Sequence, residues 1–148
     1  MQKIIERTPT LARIILGLAF VVFGLNGFLS FIPMPPLEGL AGELVGGLAA
    51  SGYFFPLLKG TEVIVGLMLL SGRAVPLALA VLSPILINIV AFHAFLAPEG
   101  IGMGMLLLGL HLFVAWSYRD SFQGVLDIRA RPRLASRPEP ARPLAAHT

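Results

Sequence analysis

Four apolar stretches, each long enough or nearly long enough to cross a bilayer, leave few folds open to this sequence. They run from about Leu11 to Ile32, Phe54 to Gly72, Ala74 to Ala97 and Ile101 to Tyr118. A helix needs about 20 apolar residues to traverse the hydrocarbon core. The fourth stretch is slightly short, which implies a thin local bilayer or a small tilt. Only 13% of the residues are charged and 56% are hydrophobic, whereas a soluble domain carries roughly a quarter charged. The sequence therefore predicts an all-α, integral membrane four-helix bundle, with the lipid bilayer as its first partner.

Basic residues are retained on the cytoplasmic side of a membrane. Lys3, Arg7 and Arg13 precede or open the first stretch, Arg73 lies between the second and third, and Arg119, Arg129, Arg131, Arg133, Arg137 and Arg142 follow the fourth. Lys59 is the exception, beside Glu38, Glu43 and Glu99 on the other side. Ten of the eleven Lys and Arg thus share one side if the chain crosses four times. This predicts a cytoplasmic N-terminus over residues 1–10, a membrane domain over 11–118, and a basic Pro/Arg-rich cytoplasmic tail over 119–148. The tail lacks apolar periodicity from about Arg129 and is expected to be disordered, with its arginines near anionic headgroups. The first stretch starts basic but is too long for a signal peptide and lacks a clear small-residue cleavage site, so it is expected to be retained.

The segment Leu37 to Gly52 is too short and too Gly-rich to cross. Leu37, Leu40, Leu44 and Leu48 share one helical face, the pattern of an amphipathic helix lying in the interface; a re-entrant loop is the alternative. There are no cysteines, which excludes disulfides, thiolate metal sites and iron–sulfur ligation by this chain. The net charge of +3 is carried at the ends and in one loop, so no nucleic-acid partner is expected.

Polar groups inside a bilayer are costly and mark candidate sites. At about 1.5 Å per residue, Asn26, Glu62 and His93 come out roughly 6 to 10 Å below the outer surface, Asn88 a turn deeper and His111 roughly 17 Å down. A polar intramembrane cluster of Glu62, Asn26, Asn88, His93 and His111 is the candidate ligand or proton site. Glu62 is its sharpest member, able to take a proton, bind a cation or bond a polar headgroup such as a quinone ring. The competing reading is that Glu62 pairs with Lys59, Asn26 or Asn88 as interhelical glue. His93 can simply face headgroups, and a backbone carbonyl, Ser83 or Asn88 can satisfy His111. The depths of the two histidines differ by roughly 10 Å, which argues against a haem held by both and against a Glu62, His93, His111 metal site. No metal site and no covalently bound cofactor is expected.

The glycines Gly17, Gly24, Gly27, Gly66, Gly72, Gly102, Gly104 and Gly109 are expected to serve close helix packing. Pro76 and Pro84 are expected to kink the third helix or set its start, freeing carbonyls near Asn88.

The run Arg13-Ile14-Ile15-Leu16-Gly17-Leu18-Ala19-Phe20 with Gly24, and the run Glu62-Val63-Ile64-Val65-Gly66-Leu67-Met68-Leu69-Leu70-Ser71-Gly72-Arg73, resemble the DoxX family of small bacterial four-helix membrane proteins. Asn88-Ile89-Val90-Ala91-Phe92-His93-Ala94-Phe95-Leu96-Ala97-Pro98 is similar to one branch of it. The resemblance covers Leu11 to Tyr118 and implies a bacterial inner membrane. It departs from the family where many members carry a Lys after the first-helix Gly and this chain has Asn26-Gly27. What it implies is a link to quinone-reducing thiosulfate oxidation and to complexes that handle oxidative or thiol stress, with Glu62 as the matched polar position. Three functions rank in this order: an accessory subunit of a quinone-linked redox complex, a small proton-linked carrier titrating at Glu62, and a structural or assembly factor. The first implies quinone as ligand and redox subunits as partners; further homo-oligomerisation is also expected.

Overall fold

With no water to satisfy its amides, a chain inside a bilayer must pair them within a helix, and the four apolar stretches do so. The computed structural model describes residues 2–123, with side chains from Thr8 onward. Its helices are α1 (Gln2–Leu29), α2 (Gly39–Ala50), α3 (Phe54–Ser71), α4 (Val75–Phe95) and α5 (Ile101–Ser117), with short 3-10 turns at Pro98–Gly100 and Arg119–Phe122. Within α1, α3 and α4, and over Pro98–Ser117, there are four segments long and apolar enough to cross a membrane. The chain is a multi-pass, all-helical membrane protein, as its apolar blocks predict.

The fully buried core is a column of Leu16, Val65, Leu69, Val75, Leu79, Leu82, Leu86 and Val114. Outside it, Leu11, Leu18, Ile64, Leu77, Ile87, Leu106 and Leu112 are each half or more exposed. Such an apolar exterior would aggregate in water and is at rest only in lipid.

The most intimate pair is α1 against α3. A methyl group added at Gly17 would sit 2.9 Å from the Gly66 carbonyl oxygen, and one at Gly66 would sit 2.8 Å from that of Gly17. Further along, Gly24 faces Val63 and the Lys59 carbonyl, and Gly27 lies under the Lys59 methylenes. The register is antiparallel, and small residues let the backbones touch, because lipid tails supply no hydrophobic force between helices. Gly104 sits in ordinary contact with Val90, but Gly102 and Gly109 meet nothing within 4 Å. The expectation that all eight glycines serve packing therefore fails for these two, which lie on the outer face of α5 and have no neighbouring helix there.

Two ends of the bundle follow. At one, Arg13 reaches across to donate to the Leu69 carbonyl, beside the C-capping Gly72 of α3. The tight turn Gly72–Ala74 then starts α4, whose Pro76 sits in the first turn, where its missing N–H costs nothing. Pro76 thus sets the start of the helix, while Pro84 lies inside it. This is the Arg73 end. The opposite, Glu99 end carries the α1–α3 connection, α2 and the Pro98–Gly100 turn.

Several boundaries differ from expectation. α1 begins at Gln2, well before Leu11, and stops at Leu29. It stops there because the Asn26 side chain accepts from the Ile32 N–H at 2.6 Å and donates to the Ile32 carbonyl at 3.3 Å, while Ser30 adopts φ 50. The segment after α1 is helical over Gly39–Ala50, which favours the helix over the re-entrant loop. At about 1.5 Å per residue it is far too short to span. The expected tail begins with an ordered turn, since Phe122 packs on the core; the disorder expected from Arg129 falls outside the described residues.

Candidate functional site

The five polar side chains singled out from the sequence do not form one cluster: Asn26, Glu62 and His111 occupy separate places, only Asn88 and His93 line a common groove, and no hydrogen bond joins any two of the five. Depth along a helix was legible, but the direction in which each side chain leaves its helix was not. Asn26 is spent on closing α1, as described. Glu62 is 2% exposed and takes both Lys59 bonds, with Nζ at 3.1 Å from Oε1 and 2.9 Å from Oε2. Lys59 comes from one turn earlier on α3, and its stem runs over Gly27 of α1 so that the ammonium is delivered to the buried carboxylate. The geometry realises the pairing reading of Glu62.

His111 is 4% exposed and packs at the α4–α5 seam. Ser83 Oγ spends its hydrogen on the Leu79 carbonyl at 2.9 Å, so its 3.1 Å contact with His111 Nε2 is one in which the imidazole donates. Nε2 thus carries the hydrogen, and Nδ1, buried and without a partner, presents a bare lone pair. An unmatched buried acceptor costs about 1–3 kcal/mol. His111→Leu, of similar volume, is therefore expected to raise stability by roughly 1 kcal/mol, read as a higher thermal midpoint in detergent. A lower midpoint would show that the ring contributes more than its orphan atom costs.

Asn88 and His93 do share a site. Both line a groove of about 750 Å³ at the Glu99 end, walled by Leu44, Val45 and Leu48 of α2, Phe54, Phe55 and Leu58 of α3, and Ile85, Ile89 and Phe92 of α4. Of the four leucines expected on one helical face, Leu44 and Leu48 thus line a ligand-sized space, while Leu40 is exposed and Leu37 precedes the helix, which their spacing could not reveal. Asn88 donates one Nδ2 hydrogen to the Pro84 carbonyl at 3.1 Å, leaving its second hydrogen and Oδ1. His93 Nδ1 lies 2.8 Å from the Ile89 carbonyl; a carbonyl can only accept, so Nδ1 carries the hydrogen and Nε2 is an acceptor when the ring is neutral. The ring packs against Gly100, where no side chain would fit. The Asn88 side chain thus gives the apolar groove one free donor and one acceptor, suited to an amphiphile with a small polar head, while the Cδ2–Nε2 side of the His93 ring lies against Gly100. Among the described residues no three His, Asp or Glu side chains gather as a metal site.

Neither Arg13 as a clasp on α3 nor the α2 wall of the groove was found by sequence reasoning. Arg13 was visible as a charge inside an apolar run, but its partner is a backbone carbonyl 56 residues away, which no side-chain pattern announces. No family model, curated protein or solved structure matches the chain.

Proposed function

We propose that this chain is a DoxX-like accessory subunit of a quinone-linked membrane redox complex, and that it holds the quinone in the groove between α2, α3 and α4. The observation that carries the reading is that groove, whose apolar walls contain Asn88 and His93. A quinone carbonyl can accept from the free Asn88 Nδ2 hydrogen, and a quinol hydroxyl can donate to Asn88 Oδ1. Oxidised and reduced heads thus each find a partner, while the isoprenoid tail lies along Leu44, Leu48 and Phe55. Electrons would come from a partner subunit, with the inner membrane of a bacterium as the setting and both ends on the cytoplasmic side. Quinone contact shifts in this reading from Glu62, which Lys59 occupies, to Asn88.

Native mass spectrometry of the full chain, gently extracted from its own membrane, tests this. A quinone adduct is expected on the wild type and a roughly five- to ten-fold weaker one on Asn88→Leu, the worth of one buried hydrogen bond. An adduct that survives the substitution, or none at all, would count against the reading. A structural or assembly role is the second reading, favoured by the Lys59–Glu62 pair, in which a buried carboxylate is already matched.

A further inference from the structure

We infer a second ligand site at the Arg73 end: a groove between α4 and α5 that seats an anionic phospholipid, its acyl chain on the helices and its phosphate on Arg119. The groove, about 450 Å³, is lined by Leu79, Ala80 and Ser83 of α4, by His111, Leu112, Ala115 and Trp116 of α5, and by Arg119 and Phe122 of the turn that follows.

Its walls are mostly apolar where an acyl chain would lie, the exceptions being Ser83 and His111, which meet each other at 3.1 Å, and the one cation, Arg119, comes from the turn after α5. Phe122 folds back onto the core, so the turn after α5 closes one side of the groove and brings Arg119 over it. The guanidinium sits 5.3 Å from the Trp116 ring centroid, and Nη1 donates weakly to the Trp116 carbonyl at 3.4 Å. Asp120 is a distant partner at 3.9 Å, and both side chains are largely exposed, at 59% and 81%. A guanidinium has five N–H donors, so Arg119 keeps most of them for an incoming phosphate, which it can grip with two at once. Stacking on tryptophan fixes its plane in advance, as cations over indole rings are held. Trp116 is 69% exposed beside an arginine, the residue pair that collects at the headgroup level of a membrane. A zwitterionic lipid would bring its own cation to the same mouth and lose the advantage. The charge of the mouth and the apolar length behind it thus match one occupant, a phospholipid of net negative charge.

The chain contains one tryptophan, and it lines this groove, so its fluorescence reports the occupant directly. The full chain is placed in dioleoyl-phosphatidylcholine vesicles containing a small fraction of lipid brominated at mid-chain, either phosphatidylglycerol or phosphatidylcholine. At equal low mole fraction the brominated phosphatidylglycerol is expected to associate about five-fold more strongly with Trp116, the worth of one cation near an anionic lipid. That preference is expected to vanish in Arg119→Gln and to persist in Arg73→Gln, an exposed cation at the same end but outside the groove. Soluble glycerol phosphate is expected not to relieve the quenching. Equal quenching by the two lipids, a preference that survives Arg119→Gln, equal loss in Arg73→Gln, or relief by glycerol phosphate would each overturn the proposal. Arg119 is exposed and outside the core, so the variant keeps its fold and its fluorescence remains interpretable.

Discussion

Gly66→Leu is expected to abolish the folded bundle, and Gly66→Ala to destabilise it by about 1–3 kcal/mol. A Cβ at this position would lie 2.7 Å from a Val21 methyl and 2.8 Å from the Gly17 carbonyl oxygen. The second neighbour is backbone and cannot rotate aside, so α1 and α3 must separate. That separation would also draw Lys59 off Gly27 and Arg13 off the end of α3. The measurement is the monodisperse fraction after extraction and the thermal midpoint of what remains. Gly109→Leu is the control, since nothing lies within 4 Å of that position. Wild-type behaviour of Gly66→Leu would mean that the two helices do not cross where the structure has them.

The second large effect concerns the buried ion pair. Lys59→Met leaves the Glu62 carboxylate, 3% exposed at its side chain, without a counter-charge, at a cost on the order of 3 kcal/mol. The double replacement Lys59→Met with Glu62→Met is expected to return most of that stability, because replacing both partners of a buried pair by apolar groups is often neutral or better. The coupling between the two sites, read from thermal unfolding of wild type, both singles and the double, separates glue from site. If the double variant remains as unstable as Lys59→Met, Glu62 serves something other than Lys59, and the proton-carrier alternative regains its basis.

The four crossings were legible because a bilayer demands length and apolarity, and both are written linearly in the chain. Pairings within one turn of helix, such as Lys59 with Glu62, were also within reach, as was the Ser83 partner of His111 among a few alternatives. What could not be read was anything that depends on the azimuth of one helix against another. Glu62 and His93 lie at comparable depth by counting, with Asn88 a turn deeper, yet Glu62 is buried with Lys59 while the other two line the groove with α2. Asn26 also counts as deep, but it ends a helix three residues before the apolar run ends. The glycines illustrate the same limit: Gly66 and Gly109 look alike in sequence, and only one has a helix opposite it.

The α1–α3 crossing also has a temporal side, because its two halves are made at different moments. α1 ends at Leu29 and α3 at Ser71. At synthesis rates of about 5–20 residues per second, roughly 2 to 8 seconds separate the completion of the first helix from that of its mate. During that interval the bare glycine face of α1 has only lipid or the insertion machinery to lie against, and Arg13 has no carbonyl to hold. The newborn first helix is therefore the point in the life of this protein at which a chaperone or another subunit can compete for the same surface, and the arrival of Gly66 closes that window.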